Sequence, residues 1–198
     1  MHRQKKIQSS LLLFSILGLL PFSIQAEQGD LPLRTSGFYA GGGLGYNQVE
    51  LATEQLQLSG SDLSYKLFAG YQFPVYSFMP FDTYFALEGG YMDLGTVDDQ
   101  ALGANFELDI HGFDMYAVGY LPITRRFDLF GKVGAFLWDA KLKADGATVD
   151  DNDGTDLALG LGVEYRTGKA YSVRLTVESV DMLDGVWVAT LAGTYQFK

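Results

Sequence analysis

The sequence predicts an all-β protein, an eight-stranded antiparallel up-and-down transmembrane β-barrel, and three observations predict it. Apolar and polar residues alternate with period 2 in segment after segment, and no stretch of comparable length shows a helical period. The links between segments tend to be long and acidic at one end and short at the other, as in barrels of an outer membrane. The face carrying glycine and isolated charge suits the crowded bore of eight strands, which leaves the leucines, valines and aromatics to look outward.

Eight strands are expected, at roughly 36–50, 62–74, 82–95, 105–121, 126–143, 155–167, 170–182 and 186–197. The first carries GGGLG (41–45); no helix follows it, so it reads as close strand packing rather than a phosphate cradle. In the third, Phe85, Leu87, Gly89 and Tyr91 oppose Ala86, Glu88 and Gly90. The fourth gives no clear face. In the fifth, Leu129, Val133, Ala135 and Leu137 oppose Phe130, Lys132, Gly134, Phe136 and Trp138. In the sixth, Leu157, Leu159, Leu161, Val163 and Tyr165 oppose Ala158, Gly160, Gly162, Glu164 and Arg166. The seventh sets Val173, Leu175 and Val177 against Ser172, Arg174, Thr176 and Glu178, and RTGKA joins it to the sixth. The eighth sets Trp187, Leu191, Tyr195 and Phe197 against Val188, Thr190, Thr194 and Gln196.

LATEQLQLSGS, TVDDQALGA and ADGATVDDNDG are the long polar links, and PITR and TGK the short ones. PVYSFMPF is longer and apolar, and DMLDG is short where a long link is expected. A soluble sandwich or lipocalin-like barrel is the alternative fold, but its inside should be apolar and its outside charged. Here the apolar face needs a solvent of its own. Lipid supplies it, and barrel closure removes the unpaired edges that lipid would not tolerate.

The N-terminus places the protein in a compartment. MHRQKK is basic, an apolar run broken by Pro21 follows, and SIQA precedes Glu27, the layout of a secretory signal peptide over 1–26 with the barrel over 27–198. There is no cysteine, which excludes a disulfide scaffold and a thiolate metal site. Loss of Arg3, Lys5 and Lys6 leaves 11 basic against 24 acidic residues, taking the net charge from -10 to -13. A chain this acidic is a poor partner for nucleic acid, heparin-like polyanions or anionic head groups.

In order, GFYAGGGLGYNQ, LFAGYQF, FALEGGYMDLG, YLPITRRFDLFGKVGAFLWDA, GVEYRTGKAYSVRLTVES and LAGTYQF resemble the transmembrane barrel of the OmpA family. The resemblance spans nearly all of 27–198 and rests on order and spacing rather than on one motif. It implies a lumenal ladder of ionic residues falling on Glu88, Lys132, Glu164 and Arg174. Lys132 stands where the family has arginine, which replaces a bidentate fork by a point charge. The family's lysine in the fourth strand would fall near Ala117 or Val118 and is absent, so ion-pair exchange lacks its second partner. Lys66 and Glu178 share the face parity and are the candidate substitutes. The family's periplasmic peptidoglycan-binding domain is not expected in this chain, and the terminal Phe197-Lys198 departs slightly from the usual insertion signal. Insertion by the barrel assembly machinery is expected nonetheless.

Glu164 and Arg174 are the best-supported pair, because a hairpin centred on Lys169 sets them opposite each other. Their bland role is a satisfied pair that braces the core; the sharper role is a gate. His111 with Asp109 has no serine nearby in sequence, which argues against a lipid A-modifying enzyme. DDNDGTD (150–156) fails as a calcium loop, since Val149 and Gly160 fall at liganding positions, and reads as a solvated acidic loop. Trp138 and Trp187 read as interface girdle and lumen filling. The expected role is therefore structural or surface-interactive, with a narrow pore gated by the ion network as the alternative and an enzyme third. No cofactor or metal is expected. The expected partners are outer-membrane lipid, lipopolysaccharide and a host or surface ligand on the acidic loops, for a monomer.

Overall fold

The computed structural model describes residues 36–53, 56–60, 62–74, 76–78, 81–101, 104–144, 147–181 and 185–197. The signal peptide expected over 1–26 lies outside the described residues, as do the side chains of 49–61, 75–82, 97–106 and 144–148.

Among the described residues ten strands run antiparallel: β1 (Gly37–Thr53), β2 (Leu56–Gly60), β3 (Leu63–Gln72), β4 (Tyr76–Phe78), β5 (Phe81–Ala101), β6 (Ala104–Pro122), β7 (Phe127–Ala144), β8 (Ala147–Arg166), β9 (Tyr171–Val180) and β10 (Val186–Gln196). Eight of them are staves, in the order β10-β9-β8-β7-β6-β5-β3-β1, and β10 pairs back onto β1 to close the barrel. β2 and β4 are short additions that pair with β1 and β5. Each stave corresponds to one of the eight strands expected from the sequence.

The long links are where the expectation needs correcting. TVDDQALGA and ADGATVDDNDG are largely strand, not loop. β5 and β6 remain paired as far as Ala101↔Ala104, and β7 and β8 as far as Ala144↔Ala147. DDNDGTD likewise lies extended within β8, with Asp151 opposite Lys141 and Asp153 opposite Asp139. β6, β7 and β8 run for 19, 18 and 20 residues, about twice the 9–11 residues with which a tilted strand crosses a bilayer. The surplus forms β-ribbons that rise roughly 30 Å along the strand direction beyond the membrane belt.

A change of polarity along single strands marks where the belt ends. In β6, Phe113 and Met115 are exposed while Asp114, Tyr116, Val118 and Tyr120 are buried. Nearer the long-link end, Leu108 and Ile110 are buried, and Asp109 and His111 occupy the outward positions. β7 does the same. Val133 and Leu137 are exposed on the lower part, whereas Ala140 is buried above and Asp139 and Lys141 face out. The backbone keeps its register through β6–β7; what changes is the solvent outside, from lipid to water. Aromatics collect at both boundaries of the belt. Phe38, Tyr71, Phe73, Tyr171, Tyr195 and Phe197 lie at the short-turn end, and Tyr65, Tyr91 and Phe113 at the other, with neighbouring rings packed at centroid distances of 4.9–6.1 Å.

Above the belt, one bulge shapes the rim. The β5–β6 register shifts between Asp93 and Thr96. Gly95 takes a positive φ of 76° there, which a β-carbon would resist. The Asn47 side-chain amide donates to the Leu94 carbonyl, and the Asp62 carboxylate accepts from Thr96 N–H at 2.9 Å and Leu63 N–H at 2.7 Å. The freed backbone groups are thus tied to β1 and to the foot of β3.

Inside, bulk is tightly rationed. Tyr84, Tyr116, Tyr120, Phe130, Phe136 and Met92 are all buried to below 2% exposure, and glycines stand at several of the inward positions beside them. A β-carbon on Gly134 would overlap the backbone carbonyl of Met115 and crowd the Tyr116 ring. Gly134→Val is expected to destabilise the barrel by about 1–3 kcal/mol, the usual range for overpacking. The check is the urea midpoint of the heat-modifiable gel band. Gly193, with nothing within 4 Å of its missing β-carbon, is the control: Gly193→Ala should leave the midpoint in place.

Candidate functional site

Alternation and register together bring ionic side chains to the middle of the bore. In β8 and β9, register sets Glu164 opposite Arg174. Arg174 is held on every donor edge. It donates from Nη1 to Glu88 Oε2 at 2.6 Å, from Nη2 to the Tyr120 hydroxyl at 2.6 Å, and from Nε and Nη2 to Glu164 Oε2 at 3.3 and 3.2 Å. Its guanidinium carbon lies 4.9 Å from the ring centroids of both Phe68 and Phe130, an aromatic box suited to a weakly hydrated cation. Tyr39 donates to the same Glu88 oxygen at 2.9 Å.

A second cluster stands beside the first. Lys66 Nζ lies 2.6 Å from Asp114 Oδ2 and 2.9 Å from Glu178 Oε1, and Lys132 Nζ donates to the same Glu178 oxygen. Lys132 starts opposite Gly160, which is in turn opposite Glu178. A β-carbon on Gly160 would sit 2.8 Å from the lysine stem. Glycine there lets the side chain cross a whole strand to its partner. The two lysines flank the Tyr116 ring, at 5.0 and 4.2 Å from its centroid. Lys132 Nζ also lies 3.8 Å from Glu88 Oε1 and joins the two clusters into one lattice. Nearer the short turns, Arg166 Nε lies 3.7 Å from Asp128.

All six candidates, Glu88, Lys132, Glu164, Arg174, Lys66 and Glu178, therefore sit in one connected interior lattice. The sequence reading put Arg166 on the face of Glu164 but left it out of the ladder, and it missed Asp114 and Asp128. Each shares the even numbering of the other buried charges, so parity could have found them; for Asp114 the obstacle was the unassigned face of the fourth strand.

The lattice is capped on the long-link side. Leu94, Leu108, Ile110, Val180 and Val186 are buried beyond it, while Met92 and Val188 stand beside Lys66 and Glu178 as their register partners, and the fully buried Asn47 lies opposite Val188. His111 lies outside this interior. Its register partners are Asp93 on β5 and Asp139 on β7, and its Nδ1 is 3.9 Å from Asp109 Oδ1. The second tryptophan candidate, Trp138, donates to Asp156 Oδ2 at 2.7 Å at the foot of the ribbon, while Trp187 is exposed on the outer face.

A closed antiparallel barrel with a lipid-compatible exterior, paired aromatic belts and an ionic interior defines an outer-membrane β-barrel of the Gram-negative type. The sequence matches the OmpA-like transmembrane domain over residues 34–183, and the chain belongs to that family. The fold is similar to that of the attachment invasion locus protein Ail of Yersinia pestis, solved with the heparin analogue sucrose octasulfate. The TM-score is 0.55 at 18% identity, covering 81% of this chain and 99% of Ail. It is similar also to Neisserial surface protein A, with TM-score 0.56, 15% identity and coverage of 82% and 98%. OprG of Pseudomonas aeruginosa gives TM-score 0.51, 15% identity and coverage of 85% and 99%. No curated protein matches the chain in sequence.

Proposed function

We propose that this chain is a sealed outer-membrane scaffold that presents acidic β-ribbons to the exterior, with a structural and surface-interaction role. The observation that carries the reading is the buried aliphatic layer of Leu94, Leu108, Ile110, Val180 and Val186 on the long-link side of the ion lattice. Ions crossing the bore would have to leave the carboxylates and lysines and pass this aliphatic layer, which is costly for any charge. The same layer anchors the ribbon bases, so the side chains that close the bore also hold the display surface upright. On this reading the short turns face the periplasm, the barrel assembly machinery inserts a leader-cleaved monomer, and outer-membrane lipid and lipopolysaccharide surround the belt. The chain has no catalytic role.

The outward ribbon positions select a partner by charge. Asp139, Asp151 and Asp153 are exposed, with Lys141 between them, a surface for basic ligands rather than for sulfated sugars of the kind bound to Ail. Planar-bilayer recording of the full chain is expected to show no stepwise conductance. Steps whose size changes in Glu164→Gln or Arg174→Gln would replace the scaffold by a gated pore. In parallel, detergent-solubilised protein should be retained on immobilised polylysine and not on heparin. The reverse order would overturn the charge argument.

A further inference from the structure

Beyond the rim, β8 outruns one of its two neighbours. β9 ends at Val180, opposite Ala158, whereas β8 stays paired with β7 as far as Ala144↔Ala147. The link 181–185 returns at once to Val186, the register partner of Val180, so it is too short to follow β8 outward. The chain enters β1 at the opposite end, where Gly37 pairs with Gln72. Past Leu157, one side of β8 therefore faces no described strand and forms an edge of the projecting sheet β5–β8. The Leu157 carbonyl accepts from Asp181 N–H at 3.0 Å, and Arg166 N–H donates to the Arg126 carbonyl at 2.8 Å. Odd residues of β8 thus aim their backbone groups at β9, and even residues at β7. The β7–β8 register is unbroken from Asp150 to Tyr165, so the same alternation turns Asp151, Asp153 and Thr155 toward the edge. Asp151 N–H is covered by the Asp150 carboxylate at 3.1 Å. The edge offered to a partner is then the N–H groups of Asp153 and Thr155 with the carbonyls beside them.

Charge narrows what can pair there. Residues 47–65, 94–110, 144–164 and 175–190 contain no Lys, Arg or His. The cations of the ribbon end are therefore Lys141 and Lys143, with His111 at its foot. Register sets Lys141 opposite Asp151 and Lys143 opposite Thr148, but it sets Asp153 opposite Asp139. Like charges directly opposite one another destabilise a sheet. Asp139 has His111 as its partner on the far side; the far side of Asp153 is the edge. On the other face of β8, the Trp138 indole lies across Gly154, where a β-carbon would sit 2.7 Å from the ring. Its Nε1 donates to Asp156 beyond. A side chain arriving opposite Gly154 would meet that ring, a surface suited to aliphatic stems and cations.

We propose that the edge of β8 from Asp151 to Thr155 docks an extended, basic polypeptide segment of a partner as an added strand, with a lysine or arginine beside Asp153. Backbone pairing would supply the affinity and the alternate side chains the selectivity. A second copy of this chain fits poorly, since edge against edge would set aspartate on aspartate. This rests on the display role proposed above for the ribbons and adds the manner of docking. A basic surface that merely neutralises the carboxylates would leave the backbone groups of Asp153 and Thr155 in water.

The full chain in phosphatidylcholine nanodiscs is titrated with a peptide of alternating lysine and valine. A peptide of the same composition with alternating D and L residues, which cannot form a regular strand, is the control. Trp138 emission, read in a Trp187→Phe background, and amide hydrogen exchange report binding. The all-L peptide should bind about tenfold more tightly or better, as a few added backbone hydrogen bonds allow. Exchange at Asp153 and Thr155 should slow by about tenfold or more, and Gly154, already turned to β7, should change little. Thr155→Pro removes an edge donor without touching charge or the β7 ladder, and it should abolish most of the preference for the all-L peptide. Asp153→Asn should weaken both peptides. If Thr155→Pro does not fold, as judged by heat-modifiable migration, the two peptides and the exchange data on the Trp187→Phe protein decide. Equal binding of the peptides, or exchange at Asp153 and Thr155 unaffected by the all-L peptide, overturns the proposal. So does protection of the same two amides by dimerisation without peptide, which assigns the edge to a second copy. Polylysine retention with no preference between the peptides would leave the display role standing and remove only the added strand. Stepwise conductance would remove the sealed scaffold without bearing on the edge.

Discussion

Arg174→Met is expected to lower the stability of the folded barrel by about 3–5 kcal/mol, the range for removing one partner of a buried charge network. Arg174 is the only cation within 3.5 Å of both Glu88 and Glu164 among the described ion pairs, and it also donates to Tyr120. Methionine would fill much of the space between Phe68 and Phe130, so packing loss is a minor part of the effect. The main part is two buried carboxylates left without their shared cation. Lysine should recover only part of the loss, because it cannot serve Glu88, Glu164 and Tyr120 from one planar fork. Neutralising the acids should recover more: Arg174→Met with Glu88→Gln and Glu164→Gln is expected to be more stable than Arg174→Met alone. Urea titration in phospholipid vesicles, followed by tryptophan emission and gel migration, measures each variant. A triple variant no better than the single one would show that aromatic packing, rather than charge, sets the cost.

How much of this was legible in the sequence depends on which side of the membrane boundary a residue sits. Within the belt, period 2 has one meaning: apolar residues face lipid, and the even positions of β5 and β7–β9 face the bore. The hairpin arithmetic that sets Glu164 opposite Arg174 needed nothing more, and it agrees with the observed register. At the boundary the meaning inverts. In β6, the even residues Leu108 and Ile110 are buried, while further along the exposed apolar residues are the odd Phe113 and Met115. Read as one pattern, the two halves cancel, which is why the fourth strand showed no face and Asp114 was missed. The ribbons were hidden for a related reason. Beyond the belt, Asp150 to Asp153 are exposed on both faces of β8, so alternation disappears although the strand continues. The reach of Lys132 across Gly160 to Glu178 lay beyond pattern altogether. It depends on the side-chain length and tilt of three adjacent strands.

Glu178→Leu is the second substitution with a large expected effect, at about 3 kcal/mol of lost stability. One carboxylate serves two lysines here, and the two are not equally protected against its removal. Lys66 keeps Asp114 at 2.6 Å. Among the described ion pairs Lys132 keeps only Glu88 at 3.8 Å, an acid already committed to Arg174 and Tyr39. The cost should therefore fall mainly on Lys132, and a double-mutant cycle can show it. Adding Lys132→Met to Glu178→Leu is expected to recover most of the loss, since the lysine that lost its partner is gone and methionine can lie over Gly160 along the same path. Adding Lys66→Met instead should recover little and leave Asp114 buried without its cation. Vesicle urea midpoints for the single and paired variants decide between these outcomes. Equal recovery from either lysine would mean that the two share Glu178 symmetrically and that the junction through Glu88 carries no weight. Unequal recovery in the expected order would make Lys132 the hinge between the two halves of the lattice.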